Sequence, residues 1–583
     1  MTKIPVGKNT VTWAIARVKK ALSGVVLFSA GVNILMLAGP LYMLQIYDRV
    51  LTSNSVPTLV GLTVFVIGAY GFQAALEIIR SRVVVRSANV IDNSLQNLAH
   101  ESLLTQSATG SQRDAVQPLR DIDQIRSFIM SPGPVAIIDS PWVPVFLIIC
   151  FLIHPWLGSV ALVGAIVLVA ITLLTERASR PISQEMAKEG RNRDLAIESR
   201  RRTAESAMAM GMQRSLENRW NEGHARYVDV LQNSSDVTGT FGALSKVSRL
   251  MLQSMILGLG AYLVILQQLT PGSMIAASIM MGRALAPIES AISQWRGFVA
   301  ARQASQRLKE TIGEQVSRHH ISLPAPSKEL NVEALTIGPP TSRKPTIRQL
   351  NFKLNSGEAV GVIGPSGIGK STLARTLVGI WPALAGKIRL DGAELSQWQK
   401  EELGPHVGYL SQSVEIFNAT IAENIARLEE SPNTDAIIAA AKAAGAHEMI
   451  LQLPEGYDTI AGEWGVLLSA GQRQRIGLAR ALYGDPAYVI LDEPNNNLDS
   501  AGEMALLNAI RHATQRGAIV VLITHKLGLL SVCDKALLLA DGRQRAFGPR
   551  DEILRKFFGP TKSVGNPNSP LRAVPSETGG GSK

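Results

Sequence analysis

At 583 residues the chain is too long for one compact core, and two or more domains are expected. Hydrophobic residues reach 46% and charged ones only 18%, against roughly 25% in soluble domains, which points to membrane-buried segments. Its two cysteines, Cys150 and Cys533, support neither a disulfide framework nor a cysteine metal site, and the net charge of +11 suits nucleic acid, anionic lipid or cytoplasmic loops until its position is known.

Lys3, Lys8, Arg17, Lys19 and Lys20 precede the first apolar stretch in the manner of a secretory signal. The run 22–46 is far longer than a signal's apolar core and predicts a retained first span. Runs at 58–79, 135–153, 157–174, 251–266 and 274–292 complete a set of six, the last two less purely apolar. Arg80, Arg82, Arg86, Arg113, Arg120 and Arg126 lie between the second and third runs, and Arg200, Arg201 and Arg202 between the fourth and fifth. Those loops are expected on the cytoplasmic side. The short connections near Ser53, His154 and Thr270 are almost free of basic residues and belong on the far side, which leaves both termini cytoplasmic. This placement explains the charge surplus, and no basic patch with stacking aromatics supports a nucleic-acid role. The stretches 87–104 and 182–231 keep helical spacing, so the spans should continue into the cytosol and reverse at breaks near 110–118 and Gly211. Pro141, Trp142, Pro144, Pro155 and Trp156 read as kinks and interfacial anchors, and no residue is assigned to substrate contact.

The boundaries expected are 1–320 for the membrane domain, 321–328 for a Pro-containing linker, 329–559 for a second domain and 560–583 for a Pro-, Ser- and Gly-rich tail whose GGGSK ending resembles an expression remnant. In the second domain an apolar strand runs into Gly364, Pro365, Ser366, Gly367, Ile368, Gly369, Lys370, Ser371 and Thr372, a P-loop opening a helix. Its glycines let backbone N–H groups close on phosphates, Lys370 suits the β- and γ-phosphates of ATP, and the Ser371 hydroxyl suits Mg²⁺. The apolar strand 488–491 ends in Asp492 and Glu493; behind a P-loop, this places Asp492 for Mg²⁺ and Glu493 for the attacking water. His525 follows the apolar run 519–523; by itself it reads more readily as structural than as a γ-phosphate contact.

LSAGQ at 468–472, YLSQ ending in Gln412, NNNLD ending in Asp499 and ITH ending in His525 resemble, in order and spacing, the ABC ATPase motif set. The resemblance implies head-to-tail dimers, with each ATP between the P-loop of one chain and Ser469, Gly471 and Gln472 of the other. Gln412 joins the Mg²⁺ and catalytic set, His525 the catalytic set and Asp499 the ATP contacts. Six spans and one ATPase domain look like a half-transporter that works as a homodimer in the lipid bilayer, and TIAGEWG at 459–465 is similar to a loop of exporters. Two positions depart from the family pattern. Ala470 stands where the first signature glycine is usual, tolerable if its φ is negative, and Pro339 and Pro340 stand where an aromatic ring usually meets adenine.

QIYDRVLTSNSVPTL from Gln45, DSPWVPVFLIICFLIHPWLG from Asp139, AMGM from Ala209 and GRALAPIESAISQWRGFVAARQ from Gly282 narrow the resemblance to PrtD-type type I secretion ATPases, over about 20–560. The fold this implies is an α-helical membrane domain of six transmembrane helices, type I ABC exporter-like, followed by an α/β P-loop ABC ATPase domain. The function implied is ATP-driven export of unfolded polypeptide from the cytoplasm of a Gram-negative cell, across the inner membrane. The partners implied are a periplasmic adaptor (membrane fusion protein), a TolC-like outer-membrane channel and a secreted protein with a C-terminal signal; with so few residues before Leu22, a peptidase extension is not expected. An exporter of lipid or small amphiphiles remains the alternative, and the cargo's identity stays open.

Overall fold

The computed structural model describes residues 10–110, 115–315, 323–342, 344–462 and 466–558. Lys3, Lys8, Arg113, positions 321 and 322 of the linker, 463–465 of the exporter-type loop and the tail 560–583 lie outside the described residues. The chain divides into two units: Met1–Leu104 with Asp114–Ser317, and Thr105–Arg113 with Arg318–Lys583.

The first unit is helical. Five helical segments are long and apolar enough to cross a membrane: Lys20–Ser53, Val56–Ala108, Pro155–Ala209, Gln213–Ile265 and Pro271–Ser293. The third span, expected as one run at 135–153, is corrected to a bent pair, Gly133–Asp139 and Trp142–Ile153, meeting at 47°. Pro141 sits at the bend; it has no N–H to donate and its ring displaces the carbonyl one turn back, so the helix cannot run straight through. The 53-residue helix Val56–Ala108 and the 55-residue helix Pro155–Ala209 are each roughly 80 Å long at about 1.5 Å per residue, more than twice a hydrocarbon core of about 30 Å. Each apolar stretch and the polar stretch that follows it form one continuous helix. Gly110 and Gly211 stand at the two reversals with φ of 62° and 63°, backbone open to a residue without Cβ.

A buried polar cluster ties three spans together. Arg80 Nη1 donates to Asp139 Oδ2 at 3.2 Å and to Ser29 Oγ at 3.0 Å. Asn33 Nδ2 donates to Asp139 Oδ1 at 2.9 Å, so each carboxylate oxygen has a partner. Farther along the first span, Asp48 receives Gly272 N at 2.8 Å and Thr270 Oγ1 at 2.6 Å, closing the N-terminus of Pro271–Ser293.

The second unit is built on a ten-stranded sheet. One half is parallel, in the order Val407–Leu410 at the edge, then Tyr488–Asp492, Ile519–Ile523, Ala359–Ile363 and Lys535–Ala540. Alternate residues of these strands feed two cores: Val489, Leu491, Val520 and Leu522 pack on one face, and Tyr488, Ile490, Val521 and Ile523 on the other. Burial on both faces is why they read as continuous apolar runs rather than alternating ones. Parallel pairing also sets the ends level, because Ile523 lies opposite both Val362 and Asp492, and Leu410 opposite Leu491. Residues that follow these four strands therefore emerge along one edge, the carboxyl end where open α/β sheets bind ligands.

Candidate ATP site

At that edge the chain after Ile363 turns through the P-loop. Gly367 and Gly369 have φ of 81° and 106°, and a Cβ on Gly364 would come within 2.8 Å of the Leu539 carbonyl oxygen. Gly369 opens the helix Lys370–Leu377, whose first N–H groups face out of the loop. Lys370 is buried, and its Nζ donates to the carbonyls of Gly364 at 2.8 Å and Pro365 at 3.1 Å. Burial lowers its pKa, against the nearby carboxylates of Glu493 and Asp492.

The neighbouring strand ends supply the other groups. Ser371 Oγ donates to Gln412 Oε1 at 3.3 Å, and Gln412 Nε2 donates to Glu493 Oε2 at 3.0 Å. His525 Nε2 meets Glu493 Oε1, and its Nδ1 lies 3.4 Å from Lys370 Nζ. A neutral ring with its proton on Nε2 satisfies both contacts, donating to the carboxylate and accepting from the ammonium. His525 is thus held in the site, which its sequence position alone did not decide. Burial works to raise the Glu493 pKa, but the Asn496 amide, His525 and Lys370 outweigh it and hold the carboxyl below its ordinary value. Asp492 moves the other way, raised by burial against the pull of the Ser371 hydroxyl and the Arg375 and Lys370 cations. Its Oδ1 is buried with no hydrogen-bond partner. With Ser371 Oγ and Gln412 Oε1 this makes a set of hard oxygen donors whose chemistry fits Mg²⁺.

The signature residues form a second cluster. Ser469 caps the helix Ala470–Leu482, and its side chain and that of Gln472 close a reciprocal capping box, bonding to one another's backbone rather than to the P-loop. Ala470 is the first residue of that helix and lies outside the positive-φ set, so its methyl group enters without backbone strain. Gly471 is constrained: a Cβ there would stand 2.8 Å from the Asn497 carbonyl oxygen. Asp499, expected at ATP, here caps the helix Ser500–Gln515 through Gly502 N at 2.8 Å and pairs with Arg475 at 2.5 Å. Pro339 and Pro340 follow the strand Glu329–Ile337, in the connection that returns through Thr346 to the side of Gly369.

Sequence reasoning did not single out Asn496, Gln474 or Arg475. The signal for Asn496 was present, as a run of three amide side chains directly after the Asp492–Glu493 pair and Pro494. For the other two, nothing in the local pattern separates a helix-surface Gln or Arg from one that reaches another loop.

Residues 347–496 match the family described as ABC transporter, and residues 22–285 the ABC transporter transmembrane region. The type I secretion system ATP-binding protein PrsD of Rhizobium meliloti (strain 1021) is 46% identical over 544 residues, 93% of this chain and 94% of that relative. The cyclolysin secretion/processing ATP-binding protein CyaB of Bordetella pertussis is 27% identical over 93% of this chain and 77% of its own length. The leukotoxin translocation ATP-binding protein LktB of Mannheimia glucosida is 28% identical, covering 95% and 79%. Among solved structures, a bacterial Atm1-family ABC exporter with ATP bound shares the fold, with a TM-score of 0.80 at 20% identity over 93% of this chain and 97% of that one. The ABC ATPase domain and the chain-long match to secretion ATP-binding proteins make this an ATP-hydrolysing transporter subunit of many membrane spans. The chain belongs to the type I secretion system ATP-binding proteins of the ABC transporter family.

Proposed function

We propose that this chain is the ATP-driven component of a type I secretion system that exports unfolded polypeptide across the inner membrane of a Gram-negative cell. In this reading both termini and the ATPase domain are cytoplasmic. The chain works as a homodimer joined to a periplasmic adaptor and an outer-membrane channel, and its cargo carries a C-terminal signal. The observation that carries the reading is the full-length match to a secretion ATP-binding protein, together with the gathering of Lys370, Gln412, Glu493 and His525 at one sheet edge.

ATP is seated by the P-loop, 364–372, with Lys370 moving from its loop carbonyls to the β- and γ-phosphates. Ser371, Gln412 and Asp492 would hold Mg²⁺, which would supply positive charge against the phosphates. Glu493 receives the proton of the attacking water, and His525 keeps that carboxylate oriented while offering its ring to the γ-phosphate side. Ser469, Gly471, Gln472 and Asp499 meet the ATP held by the partner chain. Closing of the paired domains then moves the helices that overrun the bilayer, and hydrolysis releases them.

The test uses inverted membrane vesicles carrying the chain, its adaptor and channel, and a polypeptide bearing a C-terminal secretion signal. Polypeptide uptake that needs ATP, with ATPase activity that responds to the C-terminal segment and not to lipid, is the expected result. Lipid movement by the purified chain alone, with no response to polypeptide, would overturn the cargo assignment in favour of a small-amphiphile exporter.

A further inference from the structure

Glu493 sits on a backbone that needs support. Its φ is 51° and that of Asn497 is 63°, left-handed values at two non-glycine residues four apart. The segment between them is fastened at each step. Gln474, buried in the signature helix, donates to the Pro494 carbonyl at 3.1 Å. Asn495 Oδ1 receives Thr524 Oγ1 at 3.1 Å, the Asn497 carbonyl lies against Gly471, and Asp499 is held by Arg475. Between these anchors Asn496 turns its side chain back, and its Nδ2 donates to Glu493 Oε2 at 2.8 Å.

A carboxylate has about four acceptor sites, two on each oxygen. On Glu493, Oε2 receives both Asn496 and Gln412, while among the described residues Oε1 receives His525 alone. We propose that Asn496 is a positioning residue for hydrolysis: by filling the second acceptor site of Oε2 it leaves Oε1, the oxygen beside His525, as the atom that receives the proton of the attacking water. Gln412 does not do this alone, because its amide also faces Ser371 through Oε1 and moves with whatever that pair holds. Asn496 is fixed instead by the signature helix and the strand end. As the water oxygen bonds the γ-phosphorus, its proton passes to Oε1 and the bridging bond to the β-phosphate breaks, releasing ADP and phosphate.

This inference rests on Glu493 being the general base, and one set of variants separates the two claims. Asn496→Ala removes the donor without adding charge. In purified full-length chain it should lower kcat at least about tenfold, part of the roughly 10²–10⁴ a positioned base supplies. KM and Kd for ATP should stay within about twofold and the unfolding midpoint unchanged. Asn496→Asp, which also sets a second carboxylate against Glu493, should lose at least as much kcat, and Asn496→Ser, which restores a shorter donor, should recover part of it. Wild-type kcat in both Asp and Ala variants overturns the proposal, as does a parallel loss of ATP binding and thermal stability in Asn496→Ala, which would mark a structural role. If Glu493→Gln abolishes hydrolysis while Asn496→Ala and Asn496→Asp keep wild-type kcat, only the Asn496 assignment falls. If Glu493→Gln hydrolyses normally, the general-base reading falls and this proposal with it.

Discussion

Arg80 and Asp139 form an ion pair at 3.2 Å with side chains only 12% and 13% exposed, joining the end of the second apolar run to the residue just before the bend of the third. Removing one partner of such a buried pair leaves the other charge without compensation and costs about 3–5 kcal/mol. Asp139→Asn should therefore lower the unfolding midpoint of the detergent-solubilised chain, and the double exchange Arg80→Asp with Asp139→Arg should recover part of the loss. An unchanged midpoint in Asp139→Asn would show that the pair does not hold the bend.

The composite ATP site predicts complementation. A chain with Lys370→Ala lacks a working P-loop, and one with Ser469→Arg lacks a working signature segment. Each homodimer should fail to trap ATP, whereas the mixed dimer keeps one intact site and should trap close to one nucleotide per dimer. Tandem fusions of the two chains make the measurement, and mixed dimers as inactive as the homodimers would count against the shared site.

Ala470 and Gly471 should respond unequally. Gly471→Ala forces a methyl group to 2.8 Å from the Asn497 carbonyl oxygen, an overpacking that costs about 1–3 kcal/mol and displaces the segment leading back to Glu493. Lower kcat and a lower unfolding midpoint are expected together. Ala470→Gly removes a methyl group that meets no strain at the first helical position, so stability should fall by no more than roughly 1 kcal/mol and kcat should hold.

Asp391 supplies the pH-dependent element. Its carboxylate receives the backbone N–H groups of Ser327, Lys328 and Glu329 at 2.8, 2.9 and 2.8 Å, fastening the entry to the first strand. Burial opposes the charge, but these three donors outweigh it and hold the pKa below its ordinary value. A depressed carboxyl stabilises the fold above its unfolded pKa, and that contribution fades as pH falls through the folded pKa. Asp391→Asn should lower the midpoint at neutral pH and narrow its gap to the parent under acid conditions. Parallel midpoint curves for the two proteins from neutral to acid pH would contradict this assignment.

Much of the molecule was legible from local pattern. The P-loop, the Asp492–Glu493 pair and the signature helix are short segments whose chemistry depends on backbone shape within one turn, so residue type and spacing are sufficient to find them. Apolar run length gave the spans because a bilayer sets a minimum helix length, and glycine at 110 and 211 marked the reversals because left-handed backbone favours it. Tertiary structure alone decided the rest. The 47° bend in the third span follows from Pro141, but the ion pair beside it joins residues 59 apart, a distance no periodicity encodes. His525 and Gln412 meet Glu493 only because parallel register brings separate strand ends level. Asn496 becomes a partner of Glu493, and Arg475 of Asp499, through backbone turns whose left-handed residues are not glycines and so leave no mark in composition.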